Sequence, residues 1–165
     1  MRSPTRALTL AAVAAAVTIA GCGGSSDSGS SNSLSSAEYA KRLTQVFVPL
    51  GSSLQQLGTK AQSATSKKQL ETAIQAAEKA VQTTINGVSA LDAPSAATQS
   101  NQDIIDALDS YEGSLADFQK TVRSGTAQEI HAGVETFRSD SEATRSKLQQ
   151  IAGQLKSEGV KFSGG

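Results

Sequence analysis

From Ser36 to the C-terminus the apolar residues recur at steps of three and four, and no stretch alternates between apolar and polar as a half-buried strand does. Four helical segments follow from that spacing. The first carries Tyr39, Leu43, Val46, Leu50, Leu54, Leu57 and Ala61, with Ser36 as an imperfect N-cap, and fades between Gly58 and Thr65. Inside it Pro49, followed by Gly51, predicts a kink or a break, because proline lacks the N–H that would bond the preceding turn and its ring crowds that turn's carbonyl. The second opens at Ser66 with Gln69 at capping-box spacing and runs through Leu70, Ile74, Ala77, Val81, Ile85, Val88 and Leu91. It ends before Pro94, whose neighbour is pushed out of the helical region. The third, with Ser95 as its expected cap, runs Ala97, Ile104, Leu108, Tyr111, Leu115, Phe118 and Val122, nearly a heptad series, and Gly125 closes it. The fourth opens with Thr126 and Glu129, again at capping-box spacing, and continues Ile130, Val134, Phe137, Ser141, Thr144, Leu148, Ile151 and Leu155. Residues 159–165 predict a frayed tail.

Four amphipathic helices of about 25 to 30 residues, joined by short turns, pack most economically as an all-α, antiparallel up-down-up-down four-helix bundle about 40 Å long, spanning residues 36–158. Short loops make each helix the neighbour of the next, and the lengths suit shallow-angle packing. The competing arrangement splits the first segment at Pro49 and packs its halves separately, leaving three full helices.

Composition thins the expected core. The chain is 38% hydrophobic but only 4% aromatic, without Trp, so small aliphatic side chains must fill the interior and stability should be modest. Lys and Arg number 15 and Asp and Glu 15, which excludes the basic surface that nucleic acid or an anionic bilayer would select.

The first 35 residues follow another pattern. Met1 to Ala20 has a positive start at Arg2 and Arg6, then an apolar core from Ala7, then small residues, the three parts of an export signal. Its uncharged run is shorter than the ~20 residues a membrane span needs. It ends in Ile19, Ala20, Gly21 and Cys22, an aliphatic residue, two small ones and a cysteine. This resembles the lipobox of bacterial lipoproteins. The resemblance implies a diacylglycerol thioether on Cys22 with palmitate-type chains, cleavage between Gly21 and Cys22, and removal of residues 1–21. Arg2 and Arg6 are not adjacent, which favours the general secretory route over the twin-arginine one. Two acyl chains anchor stably where one holds only marginally. With a single Cys, no intrachain disulfide can staple the domain. Residues 22–35 add a Gly/Ser linker too polar to bury itself, averaging roughly 20 Å end to end. The expected address is the cell envelope, on the outer face of the cytoplasmic membrane or, in a Gram-negative source, facing the periplasm.

Candidate chemistry is sparse. His131, the sole histidine, follows Glu129 by two residues, not at the Glu-x-x-His spacing of bundle di-iron sites, and reads as a surface residue. The only Met is Met1, so a haem with Met and His ligands has nothing to bind it. Asp103, Asp106, Asp109, Glu112 and Asp117 drift around the third helix, with no calcium-loop spacing, and read as a solvated face rather than a metal site. Glu135, Arg138, Glu142 and Arg145 read as an exposed ion-pair ladder. No nucleophile with a base, and no phosphate-binding glycine loop, occurs. The expectation is therefore no cofactor and no enzyme.

One oddity remains. Ser141 and Thr144 occupy core positions halfway along the fourth helix, at the level where an antiparallel bundle would place Pro49 and Tyr111. Such a level reads first as a polar layer closed by the Tyr111 hydroxyl, and second as a small-ligand pocket. In layout, through the lipobox, the Gly/Ser tether and a helical domain with a Leu91-Asp92-Ala93-Pro94 turn, the chain is similar to small helical lipoproteins of actinobacteria. That likeness brings no functional residues. The leading functional expectation is a membrane-anchored interaction or envelope-structural module that contacts an envelope protein and carries no signal for nucleic acid or for a particular oligomeric state. The alternative is a ligand-binding or sensor domain.

Overall fold

The computed structural model describes residues 33–162. These form α1 (Ser36–Ser63), α2 (Lys67–Ser89), a 3-10 turn (Ser95–Ala97), α3 (Thr98–Ser124) and α4 (Ala127–Ser157), an all-α four-helix bundle. The expected lipobox and the expected linker through Asn32 lie outside the described residues.

Helix starts follow local side-chain chemistry. The α1 cap is Ser35 rather than Ser36: its hydroxyl accepts from the Glu38 N–H at 3.3 Å. Ser66 caps α2 by accepting from the Gln69 N–H, but the Gln69 side chain turns back to the Thr65 N–H, one residue further out, so the box is only half made. Thr126 and Glu129 make the full reciprocal box, with Thr126 N–H donating to Glu129 Oε2 at 2.6 Å. Ser95 caps nothing. Pro94, at φ −54°, starts a 3-10 turn closed by Ala97 N–H to Pro94 O at 2.8 Å, so Ser95 lies inside the first turn instead of ahead of it.

The helix α1 runs unbroken through Pro49, contrary to a split there. Pro49 and Gln45 are both exposed, so the carbonyl that loses its intrahelical partner faces water, which satisfies it. Four hydrogen bonds bring the helix ends together. At one end Leu34 N–H donates to Asp92 O at 2.8 Å, the Tyr39 hydroxyl to Asn101 Oδ1 at 2.8 Å, and Ser100 Oγ to Glu158 Oε1 at 2.9 Å. These gather the starts of α1 and α3 with the ends of α2 and α4. At the other end Lys67 Nζ donates to Gly125 O at 2.6 Å, joining the start of α2 to the end of α3.

The core is not shared evenly. α1 packs on α2, α2 on α3 and α3 on α4, while α1 and α4 scarcely approach each other. The middle pair is accordingly the most enclosed: Ile74, Ala77, Val81 and Val88 of α2 and Ala107, Leu108, Leu115 and Val122 of α3 are buried, whereas α4 fully buries only Ile151 and Leu155. The α1–α2 seam is tight at Gly87, where an added Cβ would stand 2.7 Å from Val46 Cγ1. The α1–α4 seam is thus the loosest of the four.

Both boundaries of the domain differ from the expected ones. Leu34 is half-buried against the core and bonded to Asp92, so the chain is already docked two residues before α1. At the other end residues 159–162 do not fray. Gly159 adopts φ 87°, its N–H bonds Lys156 O, and the Val160 N–H bonds Leu155 O at 2.9 Å, the paired bonds of a Schellman stop. That reversal drives Val160 under the bundle, where it is 1% exposed, and lays Phe162 against the core. Among the described residues no helix is long and apolar enough to cross a membrane.

Candidate functional site

The expected polar level is only partly assembled. Tyr111 is buried, and Ser141 Oγ reaches its hydroxyl at 3.5 Å while bonding its own helix more closely, at 2.7 Å to Phe137 O. Burial pushes the Tyr111 phenol up, with the Ser141 contact opposing it weakly. Thr144 is half-buried one turn further on. Pro49 does not join them: it is exposed on α1, across the side where α1 and α4 stay apart. What lies beside Tyr111 is aromatic, with Phe137 at 5.7 Å and Phe118 stacked on Phe137 at 5.0 Å between ring centres. The four residues therefore are not brought to one place, and they line neither of two depressions on the bundle.

The larger depression is a groove of about 260 Å³ along the loose α1–α4 seam, walled by Leu43, Phe47, Ile104, Leu148, Leu155 and Phe162. Its one polar side chain, Thr44, is turned back onto its own helix, donating to Ala40 O at 2.8 Å. The floor therefore offers a ligand nothing but hydrocarbon and ring surface. Val48, the most exposed large apolar side chain of the described residues at 66%, lies on α1 one residue beyond Phe47. The groove was hidden from sequence reasoning because its wall residues follow the same periodicity as core residues. Phe162, in a segment expected to fray, is the least foreseeable of them.

A smaller cleft of about 160 Å³ lies between α3 and α4, where Asp117, Thr121, Thr136 and Asp140 surround the edges of Phe118 and Phe137. At the end where α1 starts and α4 stops, Ser100 and Tyr39 are buried and Glu158 is half-buried, with its Oε2 enclosed and without a hydrogen-bond partner. Burial, and secondarily the Glu158 charge, push the Tyr39 phenol up to about 12, so it remains a proton donor to Asn101. Glu78, pushed up by its partial burial, accepts from Gln119 at 2.9 Å. Each of these groups ties helices together.

The other singled-out residues lie on the surface. His131 is exposed. Asp103 and Asp106 accept from Gln99 and Gln102 one turn earlier, both at 2.9 Å, and no three His, Cys, Asp or Glu side chains converge as a metal site among the described residues. Of the ladder only Arg138–Glu135 closes, at 2.8 Å. The chain matches no protein-family model, no curated protein and no solved structure.

Proposed function

We propose that this protein is a lipid-anchored, extracytoplasmic helical module that acts by binding rather than by catalysis. The observation that carries the reading is the pairing of the lipobox-like run Ile19-Ala20-Gly21-Cys22 with a bundle that carries an apolar groove along its loosest seam. A bundle without one would merely occupy its place at the membrane; an apolar groove gives a tethered domain something to bind with. Cleavage would leave Cys22 as the acylated N-terminus, about twelve residues from the docked Leu34, and so keep the domain within roughly 20 Å of the bilayer. The binding reading is supported further by where the titratable side chains are spent: Glu129 on a helix cap, Tyr39 and Glu158 at a junction of helix ends, Glu78 on a bond to the next helix.

The ligand-binding reading, the alternative to a protein-contact module, is favoured by the α1–α4 groove and no longer by the Tyr111 level. The address is tested by fractionating cells that express the chain and Cys22→Ser. The unaltered protein is expected in the membrane fraction in a detergent-soluble form, and the variant uncleaved or released. A variant held in the membrane at the unaltered level, cleaved as before, would reject the anchor.

A further inference from the structure

We infer that the α1–α4 groove is a site for a single-chain anionic amphiphile of the fatty-acid class. The inference rests on the ligand-binding reading above but not on the lipid anchor, so the fractionation test and the test below fail independently. Three observations carry it. First, the groove walls are apolar along their length, and the only hydroxyl, Thr44, is occupied by its own helix. Polar groups of a ligand would find no partner inside, so the part that enters must be hydrocarbon. Second, the volume of about 260 Å³ exceeds the ~150 Å³ cavity that takes a benzene ring, and it falls just under the ~300 Å³ at which compact small-molecule sites begin. A groove of that size suits one chain rather than two.

Third, the rim is basic. Residues three or four apart on a helix are neighbours. Lys41 therefore borders Thr44, Arg145 borders Leu148 and Lys156 borders Ala152, while Lys161 immediately precedes Phe162. All four are exposed, and none forms an ion pair among the described residues, where Arg42–Glu38 and Arg138–Glu135 are the pairs made. The two carboxylates nearest in sequence to the groove's residues are both engaged: Asp103, beside Ile104, accepts from Gln99, and Glu158, three residues past Leu155, accepts from Ser100. A chain lying in the groove would carry its head out to these cations, and an anionic head complements them. The acyl chains of Cys22 bear no such head. A carboxylate is the least bulky head that meets these cations, which makes a fatty acid the simplest occupant.

The test is photolabelling of the purified full chain in zwitterionic nanodiscs with a palmitate carrying a diazirine in its chain, with adducts mapped by peptide mass spectrometry. Adducts are expected on the peptides holding Leu43 to Phe47, Leu148 to Leu155 and Phe162. Unlabelled palmitate should compete them away and hexadecanol, the uncharged counterpart, should not. The Lys41→Gln/Arg145→Gln/Lys156→Gln variant alters only exposed side chains; with its helical circular dichroism unchanged, it should lose labelling about tenfold. Four results would overturn the inference: adducts scattered outside the groove, no saturable labelling, equal competition by hexadecanol, or undiminished labelling of the triple variant. Groove labelling by a lysophosphatidylglycerol analogue without labelling by the palmitate probe would overturn the fatty-acid assignment in favour of a phosphate-headed lipid.

Discussion

Val160→Ala separates a frayed tail from a folded one. In a frayed tail the substitution removes two methyl groups already in water, and stability should not change. In the structure Val160 is 1% exposed beneath the bundle end, held there by Gly159 at φ 87° and by its N–H bond to Leu155 O. At about 0.8 kcal/mol for each buried methylene-sized group, deleting two costs roughly 1.6 kcal/mol, and the small cavity left behind brings the total to about 2 kcal/mol. The site is at the end of the bundle, where neighbours can partly collapse, so larger core-type losses are not expected. With a urea dependence of about 2 kcal/mol per molar for a domain of this size, the midpoint of urea unfolding followed by circular dichroism should fall by about 1 M. The neighbouring exposed Lys161→Ala is the control and should shift the transition by no more than ~0.5 kcal/mol. If Val160→Ala and Lys161→Ala unfold together with the unaltered chain, Val160 contributes nothing and the folded C-terminal stop is refuted.

Two further outcomes follow from buried phenols and an exposed proline. Tyr39 and Tyr111 are the chain's only tyrosines, and both are buried with phenols pushed upward, Tyr39 to about 12. Because the folded value exceeds the unfolded one of about 10, the unfolded chain loses the proton first. Stability is therefore intact below pH ~10 and declines as pH rises towards 12, by about 2 to 3 kcal/mol for Tyr39. Tyrosinate absorbance should accordingly appear late and together with loss of helicity; early tyrosinate in a fully helical chain would show the phenols to be accessible. Pro49→Ala restores an N–H opposite the exposed Gln45 carbonyl and should raise the urea midpoint by the equivalent of about 1 to 3 kcal/mol, whereas a lowered midpoint would mean that the ring packs on something.

Most of the fold is written in the spacing of its apolar residues, and the exceptions share a cause. Periodicity identifies the face each helix turns inward; capping residues identify where it starts, as Thr126 with Glu129 does in full and Ser66 with Gln69 by half. Neither says which neighbour receives that face. Short loops supply the answer three times, for α1 with α2, α2 with α3 and α3 with α4, because a helix that reverses after a few residues must lie beside the one it left. No loop joins α4 to α1, so nothing local obliges that seam to close. α4 is also the helix with the fewest buried side chains, Ile151 and Leu155, so it gives α1 little to close on. With little to bury there, α4 settles on α3 alone, and Phe47, Leu148 and Phe162 remain half-buried along a groove. Ser141 and Thr144, expected to line a site themselves, line no part of this groove, and Ser141 faces Tyr111 of α3 instead. The candidate site arises where sequence order stops constraining the packing, which is why its residues look like core residues until the α1–α4 seam is seen to be loose.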